Sequence, residues 1–527
     1  MASQDPYPTP PQSPAKAKGD PILRNTLRYT ISAKEYKTLH EWFISRSPQA
    51  VRRRAPTPHK YASLVQTKDD YNGAAIRASL RVFIATQTSL QLWELIKTNL
   101  LAKRRPSRTK ARNSVLTSPN LRLSLSLSLI LLLHRVLFRF FSRLRTNLLT
   151  KDAAPFRRRN PRISRSLTSR LAPAIGASLA GFALGVYPGD QLRITIAIYV
   201  ATRSLEFAYS ALEEDGWFKN KPWWWGSWML MPLACGQLLH AFVFDRDCFP
   251  KAYGDFILEN TPNYVQCRPA TYPPSLPWPS TTTIIDSLAE MSRLNWPPFI
   301  SPILFPNAPH PLPALSPITS SAHPSHTSLS CATLHPATPS CTTTFLSTLL
   351  SSFPTITKVL AAYYTLFSLP KYRKFLSSPT SEINLLAKRI LQTAAFLTGA
   401  IGSSWGSICL FQYLFPRTFL PSARWFLGGF LGGMWGVVDR KGGKGHFLYS
   451  MRLSIDSLWK VGVKRGYWKG VSGGDVAVFV AGLAVVNVVY EKRRGVIGDG
   501  LGKGVGWLRG EEFFGNKKEG EEKEKEK

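Results

Sequence analysis

The chain has 527 residues, with 67 Lys and Arg against 32 Asp and Glu, a formal net charge of +35, and 44% hydrophobic residues. Its six cysteines are too few and too scattered for a disulfide-stapled scaffold, and the length allows several units. The basic excess would suit nucleic acid, but its densest runs, Lys103 to Arg112 and Arg157 to Arg165, flank an apolar stretch as cytosolic loops flank a span, so no nucleic-acid partner is expected.

Residues 1–27 are rich in Pro and hold no apolar core for a secretory signal, so they read as a disordered tail. Residues 28–112 read as amphipathic helices on the cytosolic side. Ser32 and Glu35 have capping-box spacing, and Tyr36, Leu39, Trp42 and Phe43 fall on one face of the first helix. A second helix, beginning near Ala74, gathers Leu80, Phe83, Ile84, Leu90, Trp93, Leu95 and Ile96. Residues 113–170 form an interfacial or membrane helix with basic flanks. His134, Arg135 and Arg139 interrupt its apolar run, which favours an interfacial position over a full crossing.

From residue 171 to 247 the sequence reads as a first membrane half. Gly181 and Gly185 form a Gly-x-x-x-Gly pair that lets helix backbones approach. The next helix carries Arg193, Arg203 and Glu206 in an apolar setting. Arg203 and Glu206 lie three apart on one face, either as an ordinary structural ion pair or as a membrane-depth pair with a role. Trp217, Trp223, Trp224, Trp225 and Trp228 then mark the headgroup level at the start of a third apolar run, which Asp245, Arg246 and Asp247 close.

Residues 248–344 form a Cys/His/Pro-rich connector with abundant Ser and Thr. Here His323, His326, Cys331, His335 and Cys341 supply donors enough for a tetrahedral zinc site, although their spacing fits no standard finger register. Reduced thiols on a structured loop are the competing reading, and no other cofactor is expected.

A second membrane half spans 345–495. Small residues recur at Gly402 and Gly406 and at Gly428, Gly432 and Gly436, with two glycine rows near Trp425 that imply packing on more than one side. An amphipathic helix with Arg452 and Asp456, a Gly466–Tyr467 turn and a last apolar run repeat the order of the first half, with its Arg203, Glu206, Gly216 and Trp217. Residues 496–527 read as a charged, disordered tail whose terminal EEKEKEK lacks a peroxisomal matrix tripeptide, so any address must lie in internal segments. The fold expected is an all-α, multi-pass helical membrane protein with two weakly related halves.

The order of TISAKEY at Thr30 to Tyr36, ATRSLE at Ala201 to Glu206, the tryptophan-rich third span and LHPATPSC at Leu334 to Cys341 resembles the transmembrane protein 135 family, including fungal members described as peroxisomal membrane proteins. The likeness runs from Arg24 to Tyr490, and that family is similar in turn to the pore-forming subunits of the inner-mitochondrial-membrane protein translocases. The long insertion around Pro297 to Ser328 is peculiar to this chain. The resemblance implies a multi-pass protein of peroxisomes and mitochondria associated with organelle division and with lipid and sterol handling, and it establishes no enzymatic activity. Taken with the glycine faces and the ion pairs, it leads to the expectation of a non-enzymatic protein of the peroxisomal membrane, or alternatively the mitochondrial membrane, involved in organelle dynamics and lipid homeostasis as a scaffold or a lipid or solute conduit. It implies membrane lipids, a second copy of the chain or organelle-division proteins as partners. The alternative function is a membrane-bound metal or redox protein that uses the His/Cys connector.

Overall fold

The computed structural model describes residues 21–511 apart from 66–69, 102–117, 271 and 274. The basic run Lys103 to Arg112, the first 20 residues and the last 16 lie outside the described residues. Among those described there is no β-strand, only a single bridge between Pro298 and Ser328.

Thirteen helices of ten or more residues occur among the described residues. They are α1 (Pro21–Thr30), α2 (Ala33–Trp42), α3 (Tyr71–Leu101), α4 (Pro119–Leu149), α5 (Gln191–Glu214), α6 (Leu230–Phe244) and α7 (Thr281–Arg293). There follow α8 (Cys341–Ser368), α9 (Pro379–Leu414), α10 (Ala423–Gly433), α11 (Lys444–Lys464), α12 (Gly474–Lys492) and α13 (Asp499–Arg509). Five are long and apolar enough to cross a membrane: α4, α6 with the turn Ser227–Met229, α8, α9 and α12. A sixth candidate, Pro161–Thr168 with Ala172–Val186, is bent by 87°.

The chain divides into two compact units that differ from the halves read along the sequence. One comprises 1–217 and 472–527, the other 218–471. The division follows from two matching turns. Helices α5 and α11 both end in a Schellman motif, with Gly216 (φ +85°) and Gly466 (φ +74°) in the left-handed conformation glycine adopts without a Cβ penalty. Trp217 N donates to Leu212 O (3.1 Å) and Tyr467 N to Gly462 O (2.8 Å), the same register in each. After each turn the chain leaves its half: α6 packs on α10 and α11, and α12 packs on α5 and on Ala172–Val186. Each membrane half therefore gives its last span to the unit that contains the other half's preceding helices.

In the first unit the capping box of α2 forms as expected, with Glu35 N donating to Ser32 Oγ (3.3 Å) and Ser32 N to Glu35 Oε2 (3.0 Å). Of its apolar stripe only Tyr36 is buried, stacked on Tyr61; Leu39, Trp42 and Phe43 stay exposed. The glycine pair of this unit lies in a 3-10 stretch, Leu179–Val186, against α12. A Cβ on Gly181 would come within 2.9 Å of Val480, and one on Gly185 within 4.0 Å of Val476. On α12 itself, Gly482 sits against Ala201 of α5, where a Cβ would come within 3.2 Å of the Ala201 backbone.

Three expectations for this unit are corrected. Residues 21–27 belong to helix α1 rather than to a tail. Residues 496–511 are likewise no tail: α13 packs against α4, and its Arg509 is fully buried, donating to Glu491 (2.9 Å) and to Asn487 O (2.7 Å). His134 and Arg135 do not face an interface. Both are buried, His134 against Asn487 (3.0 Å) and Arg135 donating to Trp507 O (2.6 Å), so these polar groups have partners inside the helix bundle and leave α4 its apolar outer face.

In the second unit the glycines of α10 face two ways. Gly429 and Gly433 lie against the backbone of α6, where a Cβ on Gly433 would fall on Pro232 and within 2.6 Å of Met231 O. Gly428 and Gly432 lie against Ser407, Ser404 and Ala400 of α9. Beyond α10, Gly436 meets Met231, and on α9 Gly402 and Gly406 meet Leu349 and Phe345 of α8. The connector is more than a linker. Ile284, Leu288, Met291, Trp296, Leu315, Ile318, Leu329 and Leu334 are all buried in one core with Trp405 and Ile408 of α9 and Trp425 of α10.

Replacing Gly433 by Val would push a side chain into the α6 backbone and should destabilise the second unit by about 2 kcal/mol or more, as overpacking of a close contact does. Gly445, with nothing within 4 Å of a Cβ, is the control. Thermal unfolding of the detergent-solubilised chain should fall for Gly433→Val and hold for Gly445→Ala; equal behaviour of the two would contradict this packing.

Candidate functional site

Within the second unit the connector and two apolar helices bring four soft or borderline donors together. Cys331 lies on the one-turn-and-a-half helix Leu329–Leu334, and His335 is its C-cap, its N–H bonded to Cys331 O at 2.9 Å. The four-residue spacing puts both side chains on one face. Cys341 opens α8, where Ser340 caps the helix by accepting from Thr343 N (3.3 Å) and the helix dipole favours an anionic ligand. Cys409 sits near the end of α9, which packs against α8.

Cys331 Sγ is 3.8 Å from Cys341 Sγ and 3.7 Å from Cys409 Sγ, and Cys409 Sγ is 3.5 Å from His335 Nε2. All four donor atoms lie within 4.8 Å of one another. Cys331, His335 and Cys409 are buried and Cys341 is half-buried. His335 Nδ1 is 2.8 Å from Thr338 O, which places its proton on Nδ1 and turns the Nε2 lone pair toward the sulfurs.

Of the five donors read from the connector, the structure gathers Cys331, His335 and Cys341 and leaves two outside. His326 is buried with its ring 5.1 Å from that of His335, and His323 is exposed, 6.4 Å from His326 ring to ring. Cys409 completes the set and is invisible to spacing arguments, because a single cysteine in an apolar helix reads as a small core residue. No count of donors points to it either, because the five in the connector already suffice for a tetrahedral site.

The other candidate residues lie elsewhere. Arg203 Nη1 donates to Glu206 Oε2 at 2.5 Å on α5, with its guanidinium 5.4 Å from the Phe207 ring. On α11, Asp456 Oδ2 accepts from Lys460 Nζ at 2.7 Å. A stronger pair joins residues 282 apart, a separation that no local spacing signals. Arg193 of α5 grips both carboxylate oxygens of Asp475 of α12, including Nη2 to Oδ1 at 3.1 Å, and donates to Tyr187 O at 2.9 Å. In the second unit Asp245, after α6, takes Arg465 (2.6 Å) and Lys464 (3.3 Å), the residues that end α11.

The second unit also holds an apolar groove of about 670 Å³, lined by Trp223, Trp224, Trp228, Met229, Pro232, Leu233, Phe430, Met434 and Val437. Of the tryptophans read as a headgroup-level girdle, Trp223, Trp224 and Trp228 thus form one end of a groove between α6 and α10. The chain matches no known family model, no curated protein and no solved structure.

Arg193 and Asp475 are only 14% and 16% exposed and join two helices, whereas Arg203 and Glu206 share one. Arg193→Ala should therefore cost about 3 kcal/mol by stranding Asp475, against about 1 kcal/mol or less for Arg203→Ala. Unfolding of the two single variants checks the order, and a larger loss from Arg203→Ala would refute it.

Proposed function

We propose that this chain is a non-enzymatic, multi-pass membrane protein that accommodates lipid acyl chains, in the peroxisomal membrane or, as the alternative, the mitochondrial membrane. The observation that carries the reading is the groove between α6 and α10, wholly apolar in its lining residues and opening beside a tryptophan girdle on a helix long and apolar enough to span. Four more apolar helices of spanning length support the membrane setting. The organelle and the link to organelle dynamics and lipid homeostasis come from the resemblance carried by Tyr199 to Glu206 and Cys331 to Cys341. Membrane lipids are the first partners on this reading, with a second copy of the chain or organelle-division proteins beside them.

A second reading, as a metal or redox protein, draws on the Cys/His cluster. Four protein donors leave no open position for a substrate, which favours a structural over a catalytic centre.

A fluorescent fusion viewed against peroxisomal and mitochondrial markers, with alkaline carbonate extraction of the same cells, tests the setting. The chain should stay in the membrane pellet and coincide with one of the two organelles; release into the supernatant would reject the reading. Filling the groove with Leu233→Trp and Met434→Trp should leave targeting intact and abolish rescue of the lipid profile in a deletion strain. Full rescue would deny the groove a role in lipid handling.

A further inference from the structure

We propose that Cys331, His335, Cys341 and Cys409 bind one zinc ion as a closed Cys3His structural site that fastens the connector to the ends of α8 and α9. The donor separations are close to those of a zinc shell. A zinc ion held tetrahedrally at about 2.3 Å from sulfur and about 2.0–2.1 Å from nitrogen sets sulfur–sulfur edges of about 3.8 Å and sulfur–nitrogen edges of about 3.6 Å. Three of the six edges match, at 3.8 and 3.7 Å between sulfurs and 3.5 Å from sulfur to Nε2, and the other three are no longer than 4.8 Å. The donors thus stand close enough to share one ion with little movement.

Neither a disulfide nor a set of independent thiols fits the cluster as well. A disulfide closes at about 2.05 Å, and it would use two sulfurs and leave the third and the imidazole without a role. Independent buried thiols pack as small hydrophobes, with no reason for three of them, 10 and 78 residues apart, to meet around one ring nitrogen. The orientation of that ring adds a separate observation. His335 Nδ1 is engaged by the Thr338 carbonyl at 2.8 Å, the outer contact that a metal-ligating histidine commonly makes to fix its tautomer.

The donor types choose the ion. Three thiolates and an imidazole in a tetrahedron suit zinc, while edges this short enclose one ion and leave no room for the several irons of an iron–sulfur cluster. Binding replaces up to three S–H protons by metal–sulfur bonds and releases them to solvent, leaving a centre of net charge −1 with no change of oxidation state. Among the described residues the donors come from the connector, the start of α8 and the end of α9. The ion would tie the Pro- and Ser-rich segment, which is poor in regular structure, to the apolar helices beneath it.

The test uses the full chain purified in detergent without chelators. Metal analysis should find about one zinc per chain, falling below about a tenth in His335→Ala and in Cys409→Ser, with His323→Ala and Cys235→Ser unchanged. Because Cys409→Ser alters a buried helix position, a second measurement is made on the unaltered chain. Cobalt exchanged into it should give the intense visible bands of a tetrahedral site and the near-ultraviolet absorption of thiolate ligands. Chelator should also expose Cys331, Cys341 and Cys409 to alkylation. The assignment falls if the unaltered chain carries less than about a tenth of a zinc and takes up no cobalt. It falls equally if iron replaces zinc, if a Cys331–Cys341 disulfide is found, or if zinc persists in full without His335 or Cys409.

Discussion

The second unit depends on the backbone-to-backbone approach of α10 to its neighbours. Gly429 and Gly433 bring it against Cys235, Pro232 and Met231 of α6, and Gly428 and Gly432 against Ala400, Ser404 and Ser407 of α9. No other residue type allows this, because the missing Cβ occupies the place where the facing backbone or hydroxyl sits. In an apolar setting, helices gain little from excluding one another's surfaces from solvent, so association rests on close van der Waals contact and short polar contacts. Ser403 of α9 supplies one of the second kind, accepting from Trp435 Nε1 just beyond α10 at 2.8 Å, while Ser404 and Ser407 bond to carbonyls of their own helix. Once α10 is wedged, α6 and α9 are fixed, and the groove, the connector core and the thiol–imidazole cluster inherit their geometry from them.

A second constraint is topological. The Schellman turns at Gly216 and Gly466 share one hydrogen-bond register, and after each the next apolar helix joins the other half's partners. Charge then secures the exchange in the first unit, where Arg193 on α5 holds Asp475 at the start of α12 and Arg493 after α12 holds Asp215 at the end of α5 (2.6 Å). In the second unit Asp245 and Arg465 do the corresponding work for α6 and α11. These bridges sit at helix ends, where a side chain can reach across without placing charge against the apolar middle of either helix.

Much of this is legible in the residues. The helical class, the apolar runs, the glycine rows and the tryptophan girdle follow from composition and from periods that need no partner to be read. The repeat is visible as an order of features, but not the exchange of α6 and α12, because nothing local in a helix names the helix it will pack on. The same blindness accounts for the misjudged stretches. His134 and Arg135 look like obstacles to a span until Asn487 and the backbone of Trp507 are placed beside them. The sequence of α13 reads as part of a charged tail, yet Arg509 anchors it through Glu491 and Asn487. Three of four members of the Cys/His cluster stand close in sequence, while Cys409 requires the fold.

The exchange of the last helix between halves decides which helices meet in each unit, and proximity of Arg193 to Asp475 tests it most directly. Cysteines at these two positions, in a chain carrying a protease site in the connector, would be bridged in native membranes with a short thiol cross-linker and the connector then cut. With the helices exchanged, the amino- and carboxy-terminal fragments stay joined on a denaturing gel and separate without cross-linker. Fragments that separate after efficient modification of both cysteines would place α12 away from α5 and contradict the exchange.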